Sequence, residues 1–275
     1  MLDALAALLK ALLYAGILSC TGAVFSQATL RPPADNARVL SRLTRWGAAL
    51  TIFATLASAV CLFFRLGGGF DTATLSAIFI SGVGAAICLQ IVGATLLLIG
   101  ADSDESIGAI QLSNAALVTA SFAFNGHAAA DGLTVGLVAF LHVSLAAWWS
   151  ASLCVLRQAR SSKEFPAIVR RFSSIAFRLV GGLVIAGLLL IGALVDFDRD
   201  PWLSSYGQLL AVKIGIAAIA LTLAVYNKLR LTHRVLSADT LAICSLRRTI
   251  GAELICIVGV LVVTAILTTY TSPHQ

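Results

Sequence analysis

Charge is what this chain has least of. Only 12% of its 275 residues are Asp, Glu, Lys or Arg, against about 25% in a soluble globular domain. A chain that is also 59% hydrophobic, with a mean hydropathy of +0.95, reads as integral to a membrane. Alternating strand patterns are missing too. In lipid the backbone must satisfy its own hydrogen bonds, so helices are the spanning element left. Six cysteines are present without a Cys-x-x-Cys pair: Cys20, Cys61, Cys88, Cys154 and Cys256 lie in apolar segments and Cys244 in a basic loop. That pattern indicates neither a disulfide framework nor a zinc site. Hydrolase, kinase and nucleotide motifs are lacking, and the Gly67-Gly68-Gly69 run precedes no strand–helix unit, so it reads as a turn. A cleft, a nucleophile and a base cannot be assembled, and the chain reads as a non-enzyme.

What remains is a series of apolar segments. Eight helical spans are expected at about 4–26, 44–65, 80–100, 107–126, 133–156, 173–195, 206–227 and 249–270, each near the roughly 20 residues that cross a bilayer. The net charge of +6 sits in short blocks between them, which is a topology signal rather than a nucleic-acid surface. Arg31, Arg38, Arg42 and Arg45 follow the first span; Arg157, Arg160, Lys163, Arg170 and Arg171 follow the fifth; Lys228, Arg230, Arg234, Arg247 and Arg248 follow the seventh. All fall on one side, which the positive-inside rule makes cytoplasmic, so both termini face the other way. Asp102, Asp104 and Glu105 are an acidic exception on the basic side. The first segment begins with Asp3 rather than a basic region and reads as a retained span, not a signal peptide.

The two halves, 1–130 and 131–275, look alike. The stretch from Ser81 to Ile91 falls over Ser204 to Ile214, with Gly84 over Gly207 and Gln90 over Lys213, and Tyr14 falls over His142. Four spans per half make this a parallel repeat about an axis normal to the membrane; the alternative is chance likeness between apolar helices. The polar stretches before the two glycines, Asp71 to Ser81 and Asp196 to Ser205, read as interfacial segments on the outer face.

His142 is the residue with no helix end to excuse it. On a helix His142, Leu145, Ala146 and Trp149 share a stripe, and an ionisable group near mid-bilayer is a functional-site hypothesis. Its blander reading is a buried histidine bonded to a neighbouring carbonyl or hydroxyl. His127, in an Asn-Gly-His turn, reads as interfacial or as a ligand at the outer mouth. Lys213 lies as deep as His142 and needs a counter-ion or cavity, whereas Lys10 snorkels. Arg178 and Glu253, each about a turn inside the basic boundary, are expected to form an ion pair.

Taken as a set, these residues resemble the copper resistance D (CopD) family of bacterial inner-membrane proteins. The matching residues are Gly126-His127, His142 with Trp149 and Leu153, Ser205 to Ile214, Asn227 to Leu231, and Leu246-Arg247-Arg248 with Glu253, Val260 and Leu261. The likeness is strongest over about 172–273. The resemblance implies a multi-pass inner-membrane protein of eight spans, handling a copper ion in a role linked to copper uptake and periplasmic copper resistance; with the basic loops cytoplasmic, both termini are periplasmic. It makes His127 and His142 the candidate ligands and Trp149, Lys213, Asn227 and Glu253 family-pattern positions. Tyr14 and Gln90 join the path through the internal overlay. A periplasmic copper-binding protein is the implied partner beside the lipid bilayer. One departure stands out: the only methionine is Met1, so a thioether-lined Cu(I) path is excluded, and histidine with Cys88, Cys154 or Cys20 must serve. Imidazole also suits haem iron, which leaves a haem-binding redox protein as the alternative.

Overall fold

A computed structural model describes residues 1–66, 72–101, 108–124, 132–158, 165–195, 204–237 and 239–271. His127 therefore lies outside the described residues. The described elements are all helical: α1 Leu2–Leu30, α2 Ala34–Arg65, α3 Thr72–Ile80, α4 Gly82–Gly100, α5 Ala109–Ala120 with a 3-10 end at Ser121–Phe124, α6 Leu133–Gln158, α7 Phe165–Leu194, α8 Ser205–Tyr226 and α9 Thr240–Tyr270. Beyond Tyr226, α8 runs through a π turn at Asn227–Leu231 into Thr232–Leu236. Seven of the described helices are long and apolar enough to cross a membrane, and Ala109–Phe124 is a shorter apolar one. This is a multi-pass membrane architecture.

Three helices start well before the segments predicted from apolarity: α2 at Ala34, α7 at Phe165 and α9 at Thr240. Arg38, Arg42, Arg45, Arg170, Arg171, Arg247 and Arg248, and with them Cys244, sit on helix rather than in loops. Apolar windows detect only the lipid-facing length, whereas a helix continues past the hydrocarbon wherever its backbone bonds close. The turn from α1 to α2 is set by two prolines: Arg31 precedes Pro32 and takes the left-handed conformation, φ 44°, since the residue before proline is pushed out of the right-handed helix. Arg171 of α7 donates to the Leu30 carbonyl at 2.7 Å, placing a cation at the C-terminal end of α1.

Two helices occupy the centre. α1 packs against α2, α5, α6 and α9, and α6 packs against α1, α5, α7 and α9. They cross at Gly22, where a Cβ would stand 2.1 Å from the Ala147 carbonyl oxygen; only a hydrogen fits there, the small-residue contact by which membrane helices approach. Ser26 and Ser152 exchange a 2.8 Å hydrogen bond just beyond. Trp148 donates to Thr29 at 2.7 Å and stacks on Phe172 with centroids 5.7 Å apart. α4 bridges α2 and α5, while α8 packs on α9. α4 and α8 both begin directly after a serine, Ser81 and Ser204, the two residues that the internal overlay superposes.

Candidate metal site and the polar centres of the bundle

His142 lies part-buried on α6 and turns toward α7. Its Nδ1 is 3.2 Å from the Leu183 carbonyl oxygen. A carbonyl oxygen can only accept, so this bond puts the proton on Nδ1 and leaves a lone pair on Nε2, which takes no hydrogen bond among the described residues. Gly187 makes room for the ring: a Cβ there would sit 3.2 Å from Cε1 and 3.5 Å from Nδ1. One turn on, Leu145 lies over Gly182, whose Cβ would be 3.3 Å from Leu145 Cδ1. The stripe expected from spacing is real, for Leu145, Ala146 and the buried Trp149 continue it into one apolar cluster. Lys213 lies half-buried on α8.

Asn227 and Glu253 form a second centre. Asn227 opens the π turn that ends α8, and its side-chain N–H donates to Glu253 Oε1. Thr249 donates to Asn227 Oδ1 at 2.6 Å, and the Asn227 carbonyl accepts from Thr232 Oγ1 at 3.0 Å. Glu253 is 1% exposed, and its Oε2 has no hydrogen-bond partner among the described residues. The ion pair expected between Arg178 and Glu253 does not form: Arg178 is exposed, and the carboxylate faces Asn227 instead. A one-turn estimate from the boundary fixes depth, not azimuth, and the two side chains point different ways. Thr249 was not picked out from sequence, although its spacing of four residues before Glu253 puts it on the same helix face.

A third centre lies in the N-terminal half, where Gln90 accepts from Thr55 at 3.0 Å and donates to Ser121 at 3.1 Å. Every polar end is closed, and Ser121 also donates to the Val118 carbonyl at 2.7 Å. Tyr14 belongs to none of the three. Its hydroxyl meets Thr268 Oγ1 at 3.2 Å, its ring lies beside Phe122, and Lys10 donates to the Thr268 carbonyl at 2.6 Å. Both tie α1 to the far end of α9 in the other half, whereas Gln90 bonds only within its own half, and neither contact involves His142.

Among the described residues no group of three His, Cys, Asp or Glu gathers around a point. Cys20 is buried against Thr51, 3.9 Å from its hydroxyl, Cys88 is exposed, and Cys154 lies about 18 Å along α6 from His142 by helical rise.

Sequence comparison agrees with the layout. The Copper resistance protein D family model matches residues 166–267, and that of the Copper resistance protein D-like N-terminal domain matches residues 1–137. Together they cover most of the chain, which belongs to the copper resistance protein D family. It is also 32% identical over 163 residues to Copper transport protein CutJ of Bacillus subtilis (strain 168), a stretch that is 56% of this chain and 29% of that protein. The chain therefore spans much less than that relative's length. No solved structure matches it.

Proposed function

We propose that the protein moves copper across the bacterial inner membrane, with His142 as the mid-membrane ligand and His127 as the outer ligand that first captures the ion. One observation carries this reading: His142 gives Nδ1 to a backbone carbonyl and keeps a lone pair on Nε2. That is how a metal-binding histidine is held, its second nitrogen fixed by a hydrogen bond that sets the tautomer. The family and the CutJ relative favour copper as the cargo, and neither speaks for haem. Imidazole accepts either oxidation state of copper.

Ala109–Phe124 supplies the eighth span in this reading, so both termini lie on the periplasmic face opposite the basic residues. The internal repeat, divided near residue 130, is supported by the exchange of neighbours: α1 takes α2, α5 and α9 where α6 takes α7, α9 and α5. A periplasmic copper-binding protein would deliver the ion to His127, and no covalent chemistry is involved.

The test is copper accumulation by cells carrying His142→Ala or His127→Ala at matched membrane levels. The first variant should abolish accumulation, and the second should weaken it mostly at low external copper. Wild-type accumulation by His142→Ala overturns the assignment. A visible spectrum of the purified protein checks the cargo, with a Soret band pointing to haem and copper content without one to transport.

A further inference from the structure

Glu253 stands near the middle of α9, 1% exposed, with Oε1 accepting from the Asn227 side chain and Oε2 without a partner among the described residues. No cation among those residues pairs with it. On α8 and the turns after it, Lys228 donates to the Ser173 carbonyl at 2.9 Å, Arg234 pairs with Asp239, and Tyr226, Arg230 and His233 are exposed. Lys213 lies about 21 Å back along α8 from Asn227 by helical rise. On α6, Arg157 stands at Gly251, on a different face of α9 from Glu253, Cys154 is half-buried, and His142 turns toward α7. On α1, Asp3 pairs with Arg65, Lys10 and Tyr14 bond Thr268 near the other end of α9, and Cys20 lies against Thr51. Arg247, Arg248 and Cys256 of α9 itself make no bond to the carboxyl.

An ionised carboxylate has about four lone-pair positions, and here a single donor serves them. A buried charge needs more partners than that, or a proton. The bonds around Asn227 fix which oxygen takes it. Thr249 donates to Asn227 Oδ1 at 2.6 Å, which turns the amide N–H toward the carboxyl and makes Oε1 the acceptor in both states of the acid. Oε2 is left to bind and release the proton: carboxylate and proton give the acid, and no electrons are exchanged. Asn227 also opens the π turn, a rare element concentrated at functional sites, and Thr232 returns its backbone N–H and its hydroxyl to the Asn227 carbonyl. A hydrogen bond to an ionised group is roughly twice as strong as a neutral one, so proton uptake loosens the tie between α8 and α9. Thr249 lies one turn nearer the basic end, which makes that side the nearer water. We propose that Glu253 is a proton-binding site whose occupancy sets how firmly α8 is held to α9, and that a proton is exchanged there as copper passes. The coupling to copper rests on the transport function proposed above; the proton site stands without it.

Infrared difference spectra of the full-length protein in lipid vesicles, taken between acid and alkaline pH in water and in heavy water, read the acid directly. The carbonyl band of a carboxylic acid shielded from water should appear in the wild type and shift on deuteration. It should vanish in Glu253→Gln, which keeps an acceptor for Asn227 and stands for the neutral state. Glu253→Asp restores an acid and should regain the band at a displaced position, which separates loss of the proton from loss of the fold. A band unchanged in Glu253→Gln overturns the proposal, as does its absence from the wild type. In vesicles holding a pH-sensitive dye, a copper gradient should drive proton movement through the wild type and Glu253→Asp but not through Glu253→Gln. Proton movement that survives the Gln substitution overturns the coupling. Failure of the wild type to move copper at all brings down the transport function instead, and the infrared band still decides the proton site.

Discussion

The N-terminal pair α2 and α4 and the C-terminal pair α7 and α8 occupy matching places in chain order, yet only the first is a packed pair. α2 and α4 pack against each other. α7 and α8 do not: they are joined where Lys228 donates to the Ser173 carbonyl at 2.9 Å, and where Thr232–Leu236 reaches α7 beyond the π turn. Burial follows suit, at 39% and 33% of the central windows of α2 and α4 against 11% for α7 and for α8. Tight glycine contacts are also concentrated in the first half. At Gly47 a Cβ would come within 2.6 Å of the Cys20 nitrogen, while Gly181 and Gly215 have nothing within 4 Å. The half that is loosely closed is the half that holds His142 and Lys213. In lipid, helices associate through close packing and hydrogen bonds rather than a hydrophobic force, so a sparsely packed pair is free to open. On the proposed function, the N-terminal half is the rigid frame and the C-terminal half the working part.

The contrast is broken most severely at the frame. Gly47→Val places side-chain carbons against the Cys20 backbone of α1 and should cost about 3 kcal/mol or more, whereas Gly215→Ala should shift stability by about 0.5 kcal/mol at most. Thermal unfolding of the two variants in detergent measures the difference. Comparable midpoints would dissolve the distinction between frame and working half.

A subtler change sharpens it. Gly187→Ala brings a methyl within 3.2 Å of the His142 ring, and the ring must yield by a few tenths of an ångström. Copper affinity of the purified protein should fall about tenfold or more, as when the support of a metal-bound histidine is disturbed. The melting temperature should stay near wild type. A large loss of stability with affinity intact would make Gly187 part of the frame instead.

The helical membrane architecture was legible because apolar runs and backbone satisfaction leave no other solution. The His142 stripe was legible because helical periodicity fixes azimuth within one helix. What one helix cannot reveal is its neighbour. The Leu183 carbonyl, Gly187 and the bond from Asn227 to Glu253 all depend on which faces meet. Charge at similar depth therefore suggested Arg178 for Glu253 where an amide on α8 in fact holds it. Helix starts were misplaced for the related reason that polarity marks the edge of lipid, not the end of a hydrogen-bonded ladder.

Two of the polar centres differ as the two halves do. Around Gln90 the side-chain oxygen and nitrogen are both bonded, while among the described residues Glu253 Oε2 has no partner in a buried site. Glu253→Gln retains an acceptor for Asn227 and should fold like wild type. Glu253→Leu orphans the Asn227 N–H but also removes the unpartnered oxygen, so the net loss should be about 1 kcal/mol. Copper accumulation by the Gln variant then reads the carboxylate apart from the fold. Unfolding of that variant would show that the charge itself holds α8 to α9.

The smallest effect concerns how helices begin. α2, α4 and α5 start after Pro33, Ser81 and Gly108 without a side-chain cap. α8 and α9 are capped by Ser204 and Asp239. Asp239 Oδ1 accepts from Leu241 and Ala242 at 2.9 and 3.2 Å, and Oδ2 accepts from Arg234 Nη2 at 2.7 Å. The Ala242 N–H first, then the Arg234 side chain, hold this carboxyl below its ordinary value. A carboxyl whose folded value is depressed contributes stability that is complete above its unfolded value, about 3.9, and is lost as pH falls through the folded one. Asp239→Asn keeps the cap, since asparagine is as good there, but has no proton to take up. Thermal midpoints of the two proteins should therefore converge as pH is lowered from about 5 to 3. Curves that stay parallel over that range would show that the charge of Asp239 contributes nothing to the start of α9.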